Sequence, residues 1–471
     1  MATLRLALAA ALLLGLATCA SDAPAAYEVP AKGGPRHVLI FLVDTLRADH
    51  MACYDYPRDT TPFLDDFLER GVRFDKAISQ SSWTAPSVIS LFTGRDVVGE
   101  AVALPAALPT LPEVFQGAGY RTGGFVLNPL IQNAENGFRR GFERFQTERA
   151  VRKAMTWIKN SKGKDTLTYV HMVTTHDPYA IDPKYHHFTG GPGLVPDEVE
   201  ARWSAAAEDG LDLSDEVREE MTQARNGYDD DVRLADSQFG TLVAELERTG
   251  QLDNAVIIFC SDHGEGLWTR EAFDFSPEAQ GATTVEARFK MTHGGQLYDE
   301  LVHTPLMIWA PGVEGGRQVS SVTSNVDILP TLLELCDLAP PSDATGALSG
   351  TSLAPAMYVD TTDTGADAGE HLAGPRNAMT ATRYAHALYS WPYKLIEPTQ
   401  LGLAEGLVPE LFDLVADPGE DHDLTAELPE VLARLRAELA ERRRSAVLDP
   451  EAELELTDAN RAAMRALGYT D

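Results

Sequence analysis

The run His37-Val38-Leu39-Ile40-Phe41-Leu42-Val43 is apolar at nearly every position, without alternation, and ends in Asp44. A strand-length segment of this kind is buried on both faces, as in the middle of a parallel sheet. Similar runs recur at Thr166 to Val173, Ala255 to Cys260 and Thr304 to Ala310, and the first two of these lead straight into polar residues. Between them lie helical spacings at Thr61 to Glu69, Leu111 to Ala118, Tyr228 to Arg248 and Asp327 to Leu335. The alternation predicts an α/β fold: a central, mostly parallel sheet with helices on both faces, its ligands beyond the carboxyl ends of the strands.

Two segments break this rhythm. Pro183 to Arg225 is long, acidic in its second half and weakly periodic, and Leu267 to Met291 separates two polar motifs. Both read as insertions over the strand ends, where substrate specificity varies. Near Ala339 to Asp367 the chain turns rich in Gly, Ser, Asp and Thr. Beyond it, Ala381 to Tyr389, Tyr393 to Glu397 and Glu410 to Leu414 read as short strands and Glu430 to Arg444 as a helix, forming a small C-terminal α+β subdomain. The predicted division is 36–340 for the main domain, 341–379 for a boundary loop, and 380–471 for the subdomain and a tail whose Leu467 and Tyr469 dock on the body. No internal repeat is evident.

The N-terminus carries a lone positive charge, Arg5, an apolar stretch from Leu6 to Leu16, and then Ala17-Thr18-Cys19. This predicts a lipoprotein signal over 1–19, with Cys19 lipidated as the first mature residue, followed by a flexible tether at 20–35. An ordinary secretory signal cleaved near Ala20 to Ala26 is the alternative, and either one exports the chain. The expected location is therefore that of a bacterial membrane-anchored lipoprotein, periplasmic or at the cell surface. With Cys19 set aside, Cys53, Cys260 and Cys336 are an odd, scattered set that predicts buried thiols rather than a disulfide framework.

A formal net charge of −32 argues against nucleic acid as a partner and against binding to anionic lipid headgroups. An anionic substrate would need a strongly positive local site, and a metal ion is the obvious source. Candidate ligands lie at the strand ends: Asp44 after the first run, and Asp262 and His263 after the run that closes with Cys260-Ser261. Two carboxylates and an imidazole suit one divalent cation, Ca²⁺, Mg²⁺, Mn²⁺ or Zn²⁺. Thr84, in Ser82-Trp83-Thr84-Ala85-Pro86-Ser87-Val88, would complete the set at a helix start that aims backbone N–H groups at an anion. A metal would lower the pKa of its hydroxyl and neutralise charge on a group in transfer. His176, in Thr174-Thr175-His176-Asp177-Pro178, is a candidate acid for the leaving alkoxide. Each residue has a plainer reading beside this one: Thr84 as an N-cap, Asp262-His263-Gly264 as a turn, His176 as a loop cap.

Together with Glu410-Leu411-Phe412-Asp413-Leu414-Val415-Ala416-Asp417-Pro418-Gly419-Glu420, these motifs resemble, in order and spacing, the sulfatase branch of the alkaline phosphatase superfamily over roughly Arg36 to Tyr469. In that family a Cys or Ser stands two residues before the Pro, is oxidised to formylglycine, and is followed two residues after the Pro by an Arg. Here those positions are Thr84 and Val88, so no formylglycine is expected. Where the family usually has two acids this chain has Asp44-Thr45, so one metal ligand is lost or replaced by His263, and the Lys that commonly precedes its Leu-Tyr-Asp/Glu stretch is missing around Gly294-Gly295. The resemblance implies that His293 lies near the substrate's anionic group, and Asn128 is the best candidate for an added substrate contact. His171 and His303 read as packing residues. An acid, a threonine and an Asp-His pair is the ligand set of relatives such as phosphoglycerol transferases and certain phosphodiesterases.

The sequence thus leads to an exported, metal-dependent hydrolase or transferase of sulfate or phosphate esters. Thr84 is the nucleophile, His176 the acid, and Asp44, Thr84, Asp262 and His263 the metal ligands. The substrate is a sulfated or phosphorylated small molecule, glycan or lipid. The rival is a non-catalytic surface lipoprotein of the same fold that binds a glycan or protein partner through a degenerate site.

Overall fold

In the computed structural model the described residues are 27–31, 36–99, 101–179, 183–189, 215–267, 293–341, 347–358, 372, 376–446 and 457–466. The signal, Cys19 and most of the tether lie outside them. So do most of both insertions, much of the boundary loop, and Leu467 and Tyr469. Among the described residues no helix is long and apolar enough to cross a membrane.

The central sheet has eight strands: β1 (His37–Val43), β2 (Val72–Ile78), β3 (Arg121–Val126), β4 (Arg144–Gln146), β5 (Thr166–Met172), β6 (Ala255–Ser261), β7 (His303–Trp309) and β8 (Arg317–Ser324), in the order β4-β3-β5-β1-β6-β7-β2-β8. Every neighbouring pair is parallel except the two made by β7, which runs against β6 and β2. The apolar runs at 37–43, 166–172 and 255–261 become the three adjacent strands β5-β1-β6, buried at every position. Apolar cores cover both faces of the sheet.

The remaining strands show why they are hard to see in the sequence. β2 carries Arg73, Asp75 and Lys76 and lies next to the edge, and the edge strand β8 is mostly polar. β3 contains Gly123 and Gly124, where a Cβ would come within 2.8 Å of the Trp157 and Phe145 rings, so helix and strand close on the sheet only with glycine there. The helix expected at Tyr228 to Arg248 begins earlier, as Asp215–Thr249. Met221, Ala224, Tyr228, Val232 and Ala235 extend one buried stripe at helical spacing into the stretch read as insertion.

The C-terminal sheet is antiparallel, in the order β12-β11-β10-β9, from β9 (Ala378–Ala381), β10 (Ala385–Ser390), β11 (Tyr393–Pro398) and β12 (Glu410–Asp413). The single strand expected at 381–389 is a hairpin. Thr382 Oγ1 accepts from the backbone N–H groups of Tyr384 and Ala385 and turns the chain. One face of this sheet packs on Ile78, Leu301 and Val322 of the main domain, and the other on Leu435 and Leu439 of the helix Pro429–Ser445. Polar ties fix the junction. Tyr298 Oη donates to Glu410, Glu420 accepts from the backbone N–H of Asp299, and Lys394 pairs with Glu420 in full burial. The acid-rich Glu410 to Glu420 motif is thus a docking element. Cys53, Cys260 and Cys336 are buried thiols, as expected.

Candidate active site

The register of the three central strands builds the site. Val43 of β1 pairs with Met172 of β5 on one side and with Ser261 of β6 on the other, so Asp44 and Asp262 leave adjacent strands at the same level. Leu42 pairs with both His171 and Cys260, and side chains two apart share a face. Asp44, His171 and Asp262 therefore converge on one side of the sheet. Each can bring one ligand atom within 4.8 Å of the others.

The helix Thr84–Thr93 covers that side. Trp83 is its N-cap residue and Thr84 its first helical residue, so the hydroxyl is not used as a cap, and Pro86 falls in the first turn. Thr84 Oγ1 lies 3.2 Å from His263 Nε2 and 3.5 Å from Asp44 Oδ1. His263 Nε2 is 3.5 Å from Asp44 Oδ1 and 3.7 Å from Asp262 Oδ2. These separations match the ~3.4 Å edges that ligands at ~2.1 Å from one ion would form. His263 is oriented by Nδ1, which donates to the Gly264 carbonyl at 2.8 Å and leaves the Nε2 lone pair facing the cluster.

Electrostatics point the same way. Asp262 Oδ1 accepts from the backbone N–H groups of Thr45 and His263, whereas buried Oδ2 accepts no hydrogen bond. Burial and the neighbouring Asp44 push the Asp262 carboxyl well above the usual carboxylate range. Burial alone would raise Asp44 too, but the hydrogen bond from His171 and the positive charge of His176 outweigh it and hold that carboxyl low. Burial, reinforced by His293, depresses His263 to about 3 and keeps it neutral. Two buried acids with an orphaned oxygen, beside a neutral imidazole and a hydroxyl, fit a divalent cation.

His176 and His293 complete a group of imidazoles. The His176 ring is 5.1 Å from that of His293, edge to face, and His293 is 4.6 Å from His263. Asp177 Oδ1 holds His176 Nδ1 at 2.8 Å, and Glu265 Oε1 holds His293 Nδ1 at 2.9 Å. Burial would lower the pKa of His176, but Asp177 and Asp44 raise it to about 10, so the ring is protonated at neutral pH.

Four of the expected ligands, Asp44, Thr84, Asp262 and His263, thus meet, with His176 and His293 beside them. Asn128 has a different setting from the one its sequence suggested. Fully buried, it donates from Nδ2 to Asp44 Oδ2 at 2.6 Å and caps the helix Pro129–Gln132 through Oδ1. His171, read as packing, contacts Asp44 Oδ2 through Nε2 at 3.2 Å. Its register opposite Leu42, two residues before Asp44, brings it there, a pairing that the sequence pattern alone does not show. His303 pairs instead with Asp299 and the Asp75 carbonyl. Thr45, where a second acid would stand, adopts a left-handed conformation (φ 59°) and donates its hydroxyl to the Asp44 carbonyl. Val88 is a core residue.

Comparison with known proteins identifies the family and the fold. The profile of the Sulfatase family matches residues 36–338. Arylsulfatase K of Danio rerio is 29% identical over 220 residues, 46% of this chain but only 36% of that protein, so the chain spans little more than a third of that relative. An ulvan-active sulfatase of Formosa agariphila is 23% identical over 459 residues, covering 86% of this chain and 81% of the other. Among solved structures, the phosphonate monoester hydrolase of Agrobacterium radiobacter superposes with a TM-score of 0.64 at 19% identity, over 90% of this chain and 98% of that one. A protein bound to its substrate D-glucosamine-2-N,6-O-disulfate superposes with a TM-score of 0.66 at 18% identity, over 88% and 98% of the two chains. At these identities the structural matches establish the fold.

Proposed function

Because the chain belongs to the sulfatase family, we propose that it is an exported hydrolase or transferase of sulfate or phosphate esters in which Thr84 takes the place of the formylglycine nucleophile. The observation that carries this reading is the position of the Thr84 hydroxyl, buried and within 3.5 Å of both Asp44 Oδ1 and His263 Nε2. The ulvan-active sulfatase and the disulfated-glucosamine complex support a sulfated glycan as substrate, and the phosphonate monoester hydrolase keeps phosphorus esters in view.

Asp44, Asp262, His263 and Thr84 would hold the divalent cation. When bound, it would lower the pKa of the Thr84 hydroxyl and offset negative charge on the transferred group. Thr84 Oγ, deprotonated, forms a bond to sulfur or phosphorus as the bond to the ester oxygen breaks. The departing oxygen takes the bonding pair and a proton from His176, which Asp177 keeps charged and oriented. Water or a second alcohol then attacks the threonine ester and gives its proton to the now neutral His176, restoring Thr84. His293, held by Glu265, would donate to an oxygen of the transferred group. Cys19 would attach the mature chain to the membrane through its lipid.

The test is metal analysis of the purified mature chain alongside a panel of sulfate monoesters, phosphate mono- and diesters and phosphonate esters, with Thr84→Ala as control. Stoichiometric metal with Thr84-dependent turnover supports the proposal and names the ester class. No metal and no turnover would replace the enzyme with a binding protein of the same fold.

A further inference from the structure

Asp44 Oδ2 faces two donors. Asn128 Nδ2 lies 2.6 Å from it and His171 Nε2 lies 3.2 Å from it. The Asn128 amide has one orientation only, because Oδ1 accepts from the backbone N–H groups of Leu130 and Ile131 at the start of the helix Pro129–Gln132. An ionised carboxylate accepts and does not donate, so the His171 contact places a proton on Nε2. On the far side of that ring, Nδ1 is 3.0 Å from Tyr169 Oη, itself fully buried. With the proton placed on Nε2, Nδ1 is left to accept from the tyrosine O–H. A ring protonated at Nε2 has no lone pair there for a metal, although its position would allow one.

From this arrangement we propose that Asn128 and His171 are positioning residues for Asp44. They occupy its outer oxygen so that the carboxylate presents only Oδ1 to Thr84, His263 and the cation. The inference rests on the functional reading above and deepens it. With Thr45 turned toward the Asp44 carbonyl, Asp44 is the single acid at the end of β1. A lone carboxylate that could rotate would offer the ion either oxygen or both. Two fixed donors remove that freedom, and they add no negative charge to a site that already buries two acids.

The experiment measures metal binding by the full mature chain rather than turnover. Zn²⁺ affinity is determined by competition with a chelating dye, and the Co²⁺-loaded protein is examined by visible absorption. Asn128→Ser keeps an N-cap residue but cannot reach Asp44. It is expected to bind one ion about 10–100-fold more weakly. His171→Leu should weaken binding similarly, whereas His171→Gln, which can place an N–H where Nε2 was, should restore affinity close to wild type with an unchanged Co²⁺ spectrum. Tyr169→Phe, should His171→Leu not fold, perturbs the same chain of donors without touching Asp44 and is expected to weaken binding more mildly. A His171→Gln protein that loses its stoichiometric ion or shifts the Co²⁺ bands would make His171 a ligand and overturn the proposal. Wild-type affinity in Asn128→Ser, together with wild-type affinity in His171→Leu or Tyr169→Phe, would overturn it as well. A wild-type chain that binds no metal would instead sink the functional reading.

Discussion

Thr84 Oγ1 lies 3.2 Å from Nε2 of His263, a residue 179 positions further along the chain. The helix that starts at Thr84 and the strand that ends two residues before His263 meet across the carboxyl edge of the sheet. Neither residue is exposed: Thr84 is 1% accessible and His263 is fully buried. In the proposed mechanism this hydroxyl and this neutral imidazole would share a cation with the carboxylates of Asp44 and Asp262.

The crowding of Asp44 and Asp262 has a measurable consequence. Burial and Asp44 disfavour the charged form of Asp262, an electrostatic strain that a cation held as proposed would relieve. Asp262→Asn should raise the melting temperature of the metal-free chain and remove most of the increase that added metal gives the wild type. Scanning calorimetry with and without metal checks both, and a full metal-dependent increase in the variant would exclude Asp262 as a ligand.

A proton donor to the leaving group matters most when that group is a poor one. His176→Gln is expected to lower kcat about 10²–10⁴-fold on alkyl esters and far less on nitrophenyl esters. Steady-state rates across alcohols of graded acidity give the comparison. Equal losses across the series would move His176 from acid catalysis to binding.

The C-terminal sheet is held by a buried pair, Lys394 and Glu420, whose glutamate also accepts from the Asp299 backbone. Glu420→Ala leaves a buried ammonium without its counter-charge and should destabilise the protein by about 3–5 kcal/mol. Lys394→Met together with Glu420→Leu should recover much of that loss. Urea unfolding of the three proteins tests the pair, and a loss within a few tenths of a kcal/mol for the single variant would contradict its role in docking.

Asp236 gives a pH signature. Burial raises its carboxyl to about 6 even though it accepts from the backbone N–H groups of Phe63 and Leu64. Between the ordinary value of about 3.8 and about 6, the native state holds this proton more tightly than the unfolded chain, so the contribution of Asp236 to stability falls as pH rises through that window. The decline amounts to about 3 kcal/mol for about two pKa units. Asp236→Asn should narrow the difference between unfolding free energies at pH 4 and pH 7, and an unchanged difference would contradict it.

The parallel strands and the strand-end acids were legible because burial on both faces leaves continuous apolar runs, each closing on a polar residue. Hence Asp44, Asp262 and His263 stood out in the sequence, and Thr84 and His176 came from motif order. What stayed hidden depends on pairing rather than pattern. His171 looks like one polar interruption of an apolar strand until its register with Leu42 puts it beside Asp44. Asn128 looks like a substrate contact until the helix it caps fixes its amide toward the same carboxylate. β3 was invisible because Gly123 and Gly124 break a strand pattern for the sake of close packing against Trp157 and Phe145.

In the proposed mechanism Thr84 carries the transferred group. The most direct test is to quench the metal-loaded enzyme during turnover of an activated ester and analyse its peptides by mass spectrometry. A sulfuryl or phosphoryl adduct is expected on Thr84, absent from Thr84→Ala, which should be folded, metal-bound and without turnover. An adduct on another residue, or full turnover by Thr84→Ala, would contradict it.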